Sequence, residues 1–334
     1  MIRHKFISFL LTAACSITAS WAQGPGSSGF YYQLADGKSG QQLKTALSSI
    51  IYNRTERTYK DLWTDFRTTD CRPDGKVWDM YSAISNFTFG TDQAGTYQKE
   101  GDVYNREHSF PKSWFGGTVK PMHTDLFHLY PTDGYVNNRR GNYPFGETDG
   151  EAYMSAKGFS KLGTCTYPGY NGTVFEPADE YKGDFARTYF YMVTCYEDKL
   201  PTWYSNNSEA RPTLDGRKYP GLSQWQLQML LEWAALDPVS DKETQRNEAV
   251  WGIQHNRNPF IDYPGLEQYI WGDKTSVPFS YDGSQNSGIV NFTATSPSSY
   301  GSTLTHDLQG RTLNASYTPT RGIYIRGGKK YIVR

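Results

Sequence analysis

Arg106, Glu107 and His108 stand side by side in the stretch YNREHSFPKSWFGG, which runs from residue 104 to residue 117. Histidine has the side chain whose ordinary pKa lies nearest to neutrality, so it can accept a proton from water. The neighbouring carboxylate is a hard oxygen ligand, and the guanidinium carries fork-shaped donors that match phosphate oxygens. These three groups are the components of metal-assisted phosphodiester hydrolysis.

The segment from residue 106 to residue 145 concentrates further groups of the same kinds. It contains His108, His123, His128, Asp125, Asn137, Asn138, Arg139, Arg140 and Asn142. Carboxylate and amide oxygens, here from Glu107 and Asn137, suit a hard cation such as Mg²⁺, with Ca²⁺ and Mn²⁺ as alternatives. Glu-His pairs and Asn-Arg turns are common on surfaces, so only the co-occurrence of base, carboxylate, amide and guanidinium indicates a site.

Two short elements must bring these groups together. Asp133 is placed to cap a short helix in which Asn137 and Arg140 lie three residues apart and share a face. Glu107 and His108 are adjacent, and adjacent side chains of a regular strand point to opposite sides. We therefore expect the pair to serve one site only if the strand ends or is distorted there.

The rest of the chain predicts mostly helices. Capping-box spacing occurs at three helix starts, Ser39 with Gln42, Ser223 with Gln226, and Ser240 with Glu243. The first segment continues with apolar residues at helical spacing, and the last two helices are separated at Pro238. The segment from Ala186 to Tyr196 is apolar on nearly all sides, as a buried helix would be.

The two ends of the chain differ from its body. Residues 1–22 combine Arg3 and Lys5 with an apolar run and small residues, which predicts a secretory signal cleaved after Ala22. Cys15 leaves a lipoprotein attachment site as an alternative. Residues 275–304 are rich in Ser, Gly and Thr and predict a linker after a main domain over 23–274. Alternating apolar residues in 305–334 predict a terminal β-hairpin.

The composition favours a folded protein without a large basic field. Aromatic residues make up 16% of the chain and charged residues 20%. Such rings suit carbohydrate or nucleotide surfaces, although core packing explains them more simply. Removal of residues 1–22 would leave 32 basic against 34 acidic groups. A polyanion would therefore have to be attracted by a local cluster and a bound metal.

Three cysteines remain after such a cleavage: Cys71, Cys165 and Cys195. An oxidising compartment would permit one disulfide among them, and the sequence does not choose the pair. None of them has the C-x-x-C spacing of metal ligands, so we interpret them as structural.

Four segments resemble the endonuclease I family of secreted bacterial nucleases. They are NREHSFPKSWFGG, DLFHLYPTDGYVNNRRGNYPFGE, GDFARTYFYMVTCY and LLEWAALDPVSDKETQRNEAVWGIQHNRNPFIDYP, in this order across about residues 100–264. The resemblance implies an α+β fold, with a mostly helical body around a ββα-metal (His-Me finger) motif, to which the chain adds a small C-terminal β segment. Residues 305–334 also resemble the sorting tail of proteins exported by the type IX secretion system.

The resemblance also implies roles for individual residues. His108 falls on the general base of the family, and Glu107 and Asn137 fall on its metal ligands. Arg140 and Asn142 match an Arg-x-Asn pair, for which we expect phosphate contact or support of the site, with Arg140 as a catalytic group. Further candidates for substrate binding are Arg106, Lys120, His128, Arg139 and Arg257.

Several of these positions depart from the family or stay open. Lys120 is the lone basic residue of the loop after Gly116 and Gly117, where some relatives carry arginine, and it lacks the guanidinium fork. His128 either orients a water or packs. Arg257 either lines a nucleic-acid groove or supports a helix end, and the second role is favoured. Cys195 stands where arginine is expected.

The sequence therefore predicts an exported, extracellular or cell-surface endonuclease that depends on a metal, cleaves DNA and also RNA without sequence preference, and leaves 5′-phosphate ends. No membrane span is expected. Two alternatives remain at this stage, a noncatalytic polysaccharide-binding surface protein and a phosphodiesterase acting on small substrates.

Overall fold

The computed structural model describes residues 31–282 and four short strands between residues 305 and 333. The predicted signal over residues 1–22, with Cys15 and the cleavage after Ala22, lies outside the described residues, as does most of the predicted linker. Across the described part of the chain, no helix is both long enough and apolar enough to span a bilayer.

The main body is an α+β structure, as predicted. Within residues 31–282 its helices are α1 (Gly40–Ile51), α2 (Leu62–Thr69), α3 (Gly134–Arg140), α4 (Lys182–Cys195), α5 (Leu200–Asn206), α6 (Gln224–Leu236), α7 (Asp241–Gln254), α8 (Pro259–Asp262) and α9 (Leu266–Ile270). Its strands are β1 (Tyr104–His108), β2 (Leu129–Asp133), β3 (Tyr153–Met154), β4 (Lys161–Thr164) and β5 (Thr173–Glu176). Strands β3, β4 and β5 form an antiparallel sheet of three.

Strands β1 and β2 and helix α3 form the ββα unit that the resemblance implied. The strands are antiparallel, with His108 opposite Leu129. Helix α3 follows β2 directly, because the Asp133 carboxylate accepts hydrogen bonds from the backbone N–H groups of Tyr135 and Val136. The predicted cap is thus confirmed, and it fixes where the helix begins relative to the strand.

Helix α4 runs through the centre of the core, and all of its residues except Lys182 are buried. Its buried charged side chains, Asp184 and Arg187, have partners on α7. The Arg187 Nε and Nη2 atoms donate to the two carboxylate oxygens of Glu243 at 2.5 and 2.7 Å, and Asp184 accepts from Lys242 at 2.6 Å. Because each charge is paired, the helix can be buried on all sides.

One of the three predicted capping boxes forms. Ser240 and Glu243 cap α7 reciprocally, whereas Ser39 and Ser223 make no side-chain cap bond. The Ser223 hydroxyl donates instead to the carbonyl of Pro212 at 2.6 Å, and Gln226 is used by tertiary bonds within the core. The helices themselves form where predicted, since the apolar faces of α1 and α6 are buried regardless of the cap.

The three cysteines Cys71, Cys165 and Cys195 are separate free thiols, so no pair among them is joined. Many of the aromatic rings pack against one another in the core, for example Phe110 against Trp114 and Tyr189. Core packing therefore accounts for much of the aromatic composition.

The C-terminal unit, residues 288–334, is separate from the unit formed by residues 1–287. Its described strands are β6 (Thr305–Asp307), β7 (Thr312–Leu313), β8 (Gly322–Arg326) and β9 (Lys329–Val333), in the order β7-β6-β8-β9. Strands β8 and β9 pair antiparallel, with Arg326 opposite Lys329, which confirms the predicted hairpin. The predicted boundaries of the main domain and the linker stay predictions.

Candidate active site

A cleft of about 280 Å³ opens beside the C-terminal end of β1. Six residues predicted from the sequence line it: Arg106, Glu107, His108, Asn137, Arg140 and Asn142. Its walls also include Tyr59, Trp63, Asn105 and Lys112. The other four predicted residues, Lys120, His128, Arg139 and Arg257, do not line it.

The end of β1 explains how two adjacent side chains reach one cleft. The strand ends at His108, and the next residue, Ser109, directs both its N–H and its hydroxyl to the carbonyl of His128 at 2.9 Å. Glu107 and His108 are both buried, with 4% and 6% of their surface exposed, and both border the cleft. The sequence allowed Glu107 and His108 to serve one site only if the strand ends or is distorted at this pair, and the strand does end there.

The His108 ring is oriented by a backbone carbonyl. Its Nε2 atom lies 3.1 Å from the carbonyl oxygen of His123. A carbonyl only accepts, so Nε2 carries the proton and Nδ1 keeps its lone pair. Burial lowers the pKa of His108 well below its usual range, and nearby His128 acts in the same direction. The imidazole is therefore neutral near pH 7, with Nδ1 as its basic atom.

The Glu107 carboxylate is held by one oxygen. The Tyr81 hydroxyl and Nη1 of Arg140 both donate to Oε1, each at 2.8 Å, so Oε2 accepts neither bond. Burial raises the pKa of Glu107, while Arg140 and Tyr81 lower it again in part. A cation beside Oε2 would favour the ionised form further.

Asn137 projects from α3 and borders the same cleft. Its side-chain amide is half-buried and forms no hydrogen bond with any other described residue. A carboxylate and an amide that border one cleft match the ligand preference of a hard divalent cation. Within residues 31–282, no group of three or more His, Cys, Asp and Glu side chains is arranged to hold a metal. Asn105 and Asn142 border the same cleft, so the choice of Glu107 and Asn137 as ligands rests on the resemblance and stays a prediction.

Arg140 requires a correction. Only 1% of it is exposed, and Nη1 and Nη2 donate within the protein, to Glu107 Oε1 and to the carbonyls of His108 and Ser109 at 3.1 and 2.7 Å. Its Nε is buried without a partner among the described residues. These contacts tie the metal-ligand candidate to the end of β1, which favours the supporting role over a phosphate contact.

Two predicted substrate contacts are surface residues engaged elsewhere. Lys120 is exposed and forms an ion pair with Glu56 at 2.8 Å. Arg139 is exposed, stacks over the rings of Tyr135 and Tyr153, and donates to the Tyr135 hydroxyl at 2.5 Å. Arg139 lies on the exposed side of α3 while its neighbour Arg140 is buried, because residues adjacent in a helix do not share a face.

Two others are buried. His128 is fully buried, donates from Nε2 to the carbonyl of Met122 at 2.7 Å, and packs beside His108 with ring centres 5.4 Å apart. Arg257 is 1% exposed and pairs with Asp262 and Glu248, each at 2.6 Å. Packing for His128 and support of a helix end for Arg257 are the alternatives that the structure favours.

Tyr59, Trp63 and Lys112 are cleft residues that the sequence did not indicate. The guanidinium carbon of Arg106 lies 3.5 Å from the ring centre of Tyr59 and 4.3 Å from that of Trp63. The two rings are four residues apart, but they are more than forty residues before Arg106, and no local pattern connects them to it.

Cys195 stands at the end of α4, and the guanidinium of Arg54 lies against it. Arg54 Nη2 is 2.8 Å from the sulfur, and Nη1 contacts the Asp125 carboxylate and, at 2.5 Å, the Tyr196 hydroxyl. Burial raises the pKa of Cys195 to about 11, so the thiol is neutral and Asp125 balances the arginine. At the position where the resemblance led us to expect arginine, the cysteine is thus contacted by an arginine from the segment after α1.

The match to known proteins agrees with this geometry. Residues 39–265 match the model of the Endonuclease I family. The chain belongs to the endonuclease I family. It is 38% identical over 250 residues to a protein of Bacillus amyloliquefaciens named extracellular ribonuclease, covering 72% of this chain and 78% of the relative. A Bacillus subtilis protein with the same name is 37% identical over the same shares.

More distant relatives carry related names. An extracellular deoxyribonuclease of Aeromonas hydrophila is 27% identical over 143 residues, which is 42% of this chain and 50% of the relative. Family membership makes the protein an endonuclease, and therefore a hydrolase. The alternative of a noncatalytic polysaccharide-binding protein is thereby set aside.

Proposed function

We propose that this endonuclease I protein is exported and hydrolyses internal phosphodiester bonds of RNA and DNA with a divalent metal ion, Mg²⁺ in the first place. The observation that carries the proposal is that the His108 imidazole, the Glu107 carboxylate and the Asn137 amide all border one cleft. Two relatives named ribonuclease and one named deoxyribonuclease support both kinds of substrate.

Glu107 and Asn137 would hold the cation. When bound, it supplies positive charge that stabilises the negative charge developing on the phosphate oxygens and on the leaving oxygen. Arg140 contributes by holding Oε1, so that Oε2 of the same carboxylate is outside its bond and that of Tyr81. Both ligand candidates border the cleft before a cation binds.

His108 acts as the general base. Its Nδ1 accepts a proton from a water molecule while the water oxygen forms a bond to phosphorus, and the bond from phosphorus to the 3′ oxygen breaks. The carbonyl of His123 keeps Nε2 protonated and stabilises the imidazolium that results. Once the 3′ oxygen has taken a proton from solvent, the products carry 5′-phosphate and 3′-hydroxyl ends.

Export rests on two observations. Residues 1–22 have the charged, apolar and small-residue regions of a secretory signal. The Bacillus and Aeromonas relatives are named extracellular proteins. We propose in addition that residues 305–334 serve as a sorting tail recognised by secretion machinery, for which the β8–β9 hairpin provides a folded element.

A nicking assay tests the function. The chain from about Gln23 is incubated with supercoiled plasmid, and separately with RNA and DNA strands of one sequence, with added Mg²⁺ and with excess EDTA. We expect internal cleavage of all three substrates with Mg²⁺ and none with EDTA. Labelling by a polynucleotide kinase only after phosphatase treatment would identify 5′-phosphate ends. Full activity after thorough metal removal would contradict the proposal.

A further inference from the structure

The cleft contains several basic side chains, and the question is which of them bind the phosphates of the substrate. Three long basic side chains border it, Arg106, Lys112 and Arg140, against one carboxylate, Glu107. Arg140 is already bonded to that carboxylate. Neither Arg106 nor Lys112 forms an ion pair with any acidic residue in the described part of the chain. These two charges are therefore available to a polyanion.

Arg106 is held in place before any substrate binds. Tyr59 and Trp63 cover its guanidinium, and its Nη1 donates to the carbonyl of Tyr59 at 2.5 Å. Nε and Nη2 form no hydrogen bond with described residues and are not among the buried polar atoms that lack a partner. One edge of the fork is thus fixed and the other edge is open at the cleft. An ordered guanidinium loses little conformational entropy when it binds phosphate.

The Tyr59 ring that covers Arg106 has no free face for a nucleobase. Tyr59 stacks on the His123 ring with centres 4.4 Å apart, while Arg106 lies 3.5 Å from the centre of the same ring. Two groups so close to one ring centre cannot share a face, so both faces of Tyr59 are covered. A nucleobase therefore cannot stack on Tyr59, and this ring serves to hold the Arg106 charge.

Lys112 supplies a charge of a different kind. It begins a short 3₁₀ turn, Lys112–Phe115, directly after Pro111, and its side chain is exposed at the cleft. It borders the same cleft as the base His108. An ammonium group on a flexible stem acts as a point charge and does not impose a fixed geometry on a phosphate.

We propose that Arg106 and Lys112 are the phosphate-binding pair of this endonuclease, and that they contact backbone phosphates flanking the scissile one. The proposal rests on the proposed function and deepens it by naming which cations bind the substrate. It replaces Arg140, Lys120, Arg139 and Arg257 in that role. Contact through phosphate alone carries no base information, which agrees with cleavage without sequence preference.

The salt dependence of binding tests the pair. A fluorescent single-stranded oligonucleotide is titrated with the His108→Ala protein, in which cleavage is suppressed, at a series of salt concentrations from about 50 to 200 mM. On a single strand, the slope of log affinity against log salt is smaller by about 0.7 for each phosphate that the protein no longer neutralises. We expect this reduction for Arg106→Ala and for Lys112→Ala, each added to His108→Ala, and about twice as much for the two together.

Two further variants separate charge from structure. Arg106→Lys keeps the charge, so the slope should stay near that of the parent, while affinity falls because the variant has neither the fork nor the stacking. Arg217→Ala is the matched control, because Arg217 is exposed, pairs with Asp215 and lies outside the cleft. We expect its slope to be that of the parent. Thermal melting by circular dichroism accompanies each variant.

An unchanged slope for both Arg106→Ala and Lys112→Ala would overturn the proposal. A change for only one of them would show that the other does not contact a phosphate, and the proposal of a pair would then be wrong. If Arg106→Ala is unfolded, the slopes of Lys112→Ala and of Arg106→Gln decide in its place. Failure of the proposed function would look different, because the parent enzyme would then not cleave polymers internally at all, whatever the slopes.

Discussion

Two buried arginine-glutamate pairs in this protein differ in what they leave free. In the helical body, Arg187 donates to both carboxylate oxygens of Glu243, and the same carboxylate also accepts from the Ser240 N–H. At the cleft, Arg140 and the Tyr81 hydroxyl share Oε1 of Glu107 and leave Oε2 without a bond from either. We call the first pair closed, because both carboxylate oxygens accept bonds from the arginine, and the second pair open, because the arginine bonds only one of them. The closed pair stabilises the fold, whereas the open pair leaves one oxygen that can act as a ligand.

Replacing Glu107 with Gln should have the largest effect on activity. The variant loses the negative charge and the ligand oxygen at once, so the rate should fall by about a thousandfold, since a bound metal contributes several kcal/mol. Initial rates of plasmid nicking at saturating Mg²⁺ measure the loss.

Glu243→Gln provides the matched comparison. It breaks the closed pair and should lower the free energy of unfolding by about 3 kcal/mol, as removal of one partner of a buried ion pair does. Its specific activity below the melting temperature should stay near normal. Equal losses of activity in the Glu107 and Glu243 variants would show that the open and closed pairs do not differ in function.

Replacing His108 with Ala removes the base while both ligand candidates remain. The rate should fall by about a hundredfold or more, as general-base losses do. The Mg²⁺ concentration for half-maximal rate should change little, because neither Glu107 nor Asn137 is altered. Titration of activity against Mg²⁺ measures both quantities, and circular dichroism checks the fold. Rescue of this variant by metal would place His108 among the ligands.

Replacing Asn137 with Ala should have a smaller and recoverable effect. The open carboxylate of Glu107 remains, so the cation still binds but more weakly, and the apparent Mg²⁺ requirement should rise. Higher Mg²⁺ should recover part of the lost rate. The same titration measures this, with Asn138→Ala as the control, because Asn138 is exposed on α3 and does not border the cleft. A rate that no metal concentration improves would contradict the ligand role.

Deletion from about Thr305 should have the smallest effect on catalysis. Every group assigned to the cleft lies in the unit formed by residues 1–287, so nicking per mole of folded protein should stay within about twofold of the full chain. Export or surface attachment in the producing cell should change instead. Loss of nicking in a soluble, folded truncation would show that the tail contributes to the active unit.

The sequence predicted those parts of the site that depend on local rules. Asp133 caps α3 as its side-chain chemistry and position require, and this one cap puts Asn137 and Arg140 on the side of the helix that borders the cleft. For β1 the sequence set a condition, that Glu107 and His108 can serve one site only if the strand ends or is distorted there, and the strand ends at His108. These features involve neighbours in the chain and little competition from distant groups.

The choice of partner by each arginine was not predictable, because it depends on which acids and carbonyls the fold buries beside it. For Arg140 and Arg257 the sequence left open a contact with substrate or a supporting role, and both are bonded within the protein. Arg106 differs from them because distant rings, not acids, surround it. The predicted cap at Ser223 does not form for the same reason, because the fold brings the carbonyl of Pro212 near and this carbonyl accepts the hydrogen bond of the Ser223 hydroxyl.

Arg54 beside Cys195 bears on how this protein should be compared with its relatives. The resemblance led us to expect arginine at position 195, at the end of α4. The guanidinium that lies there belongs instead to Arg54, in the segment after α1, and it meets Asp125, Tyr196 and the neutral Cys195 thiol. A sequence comparison limited to position 195 would miss this basic group, because the residue that carries it is 141 positions earlier in the chain.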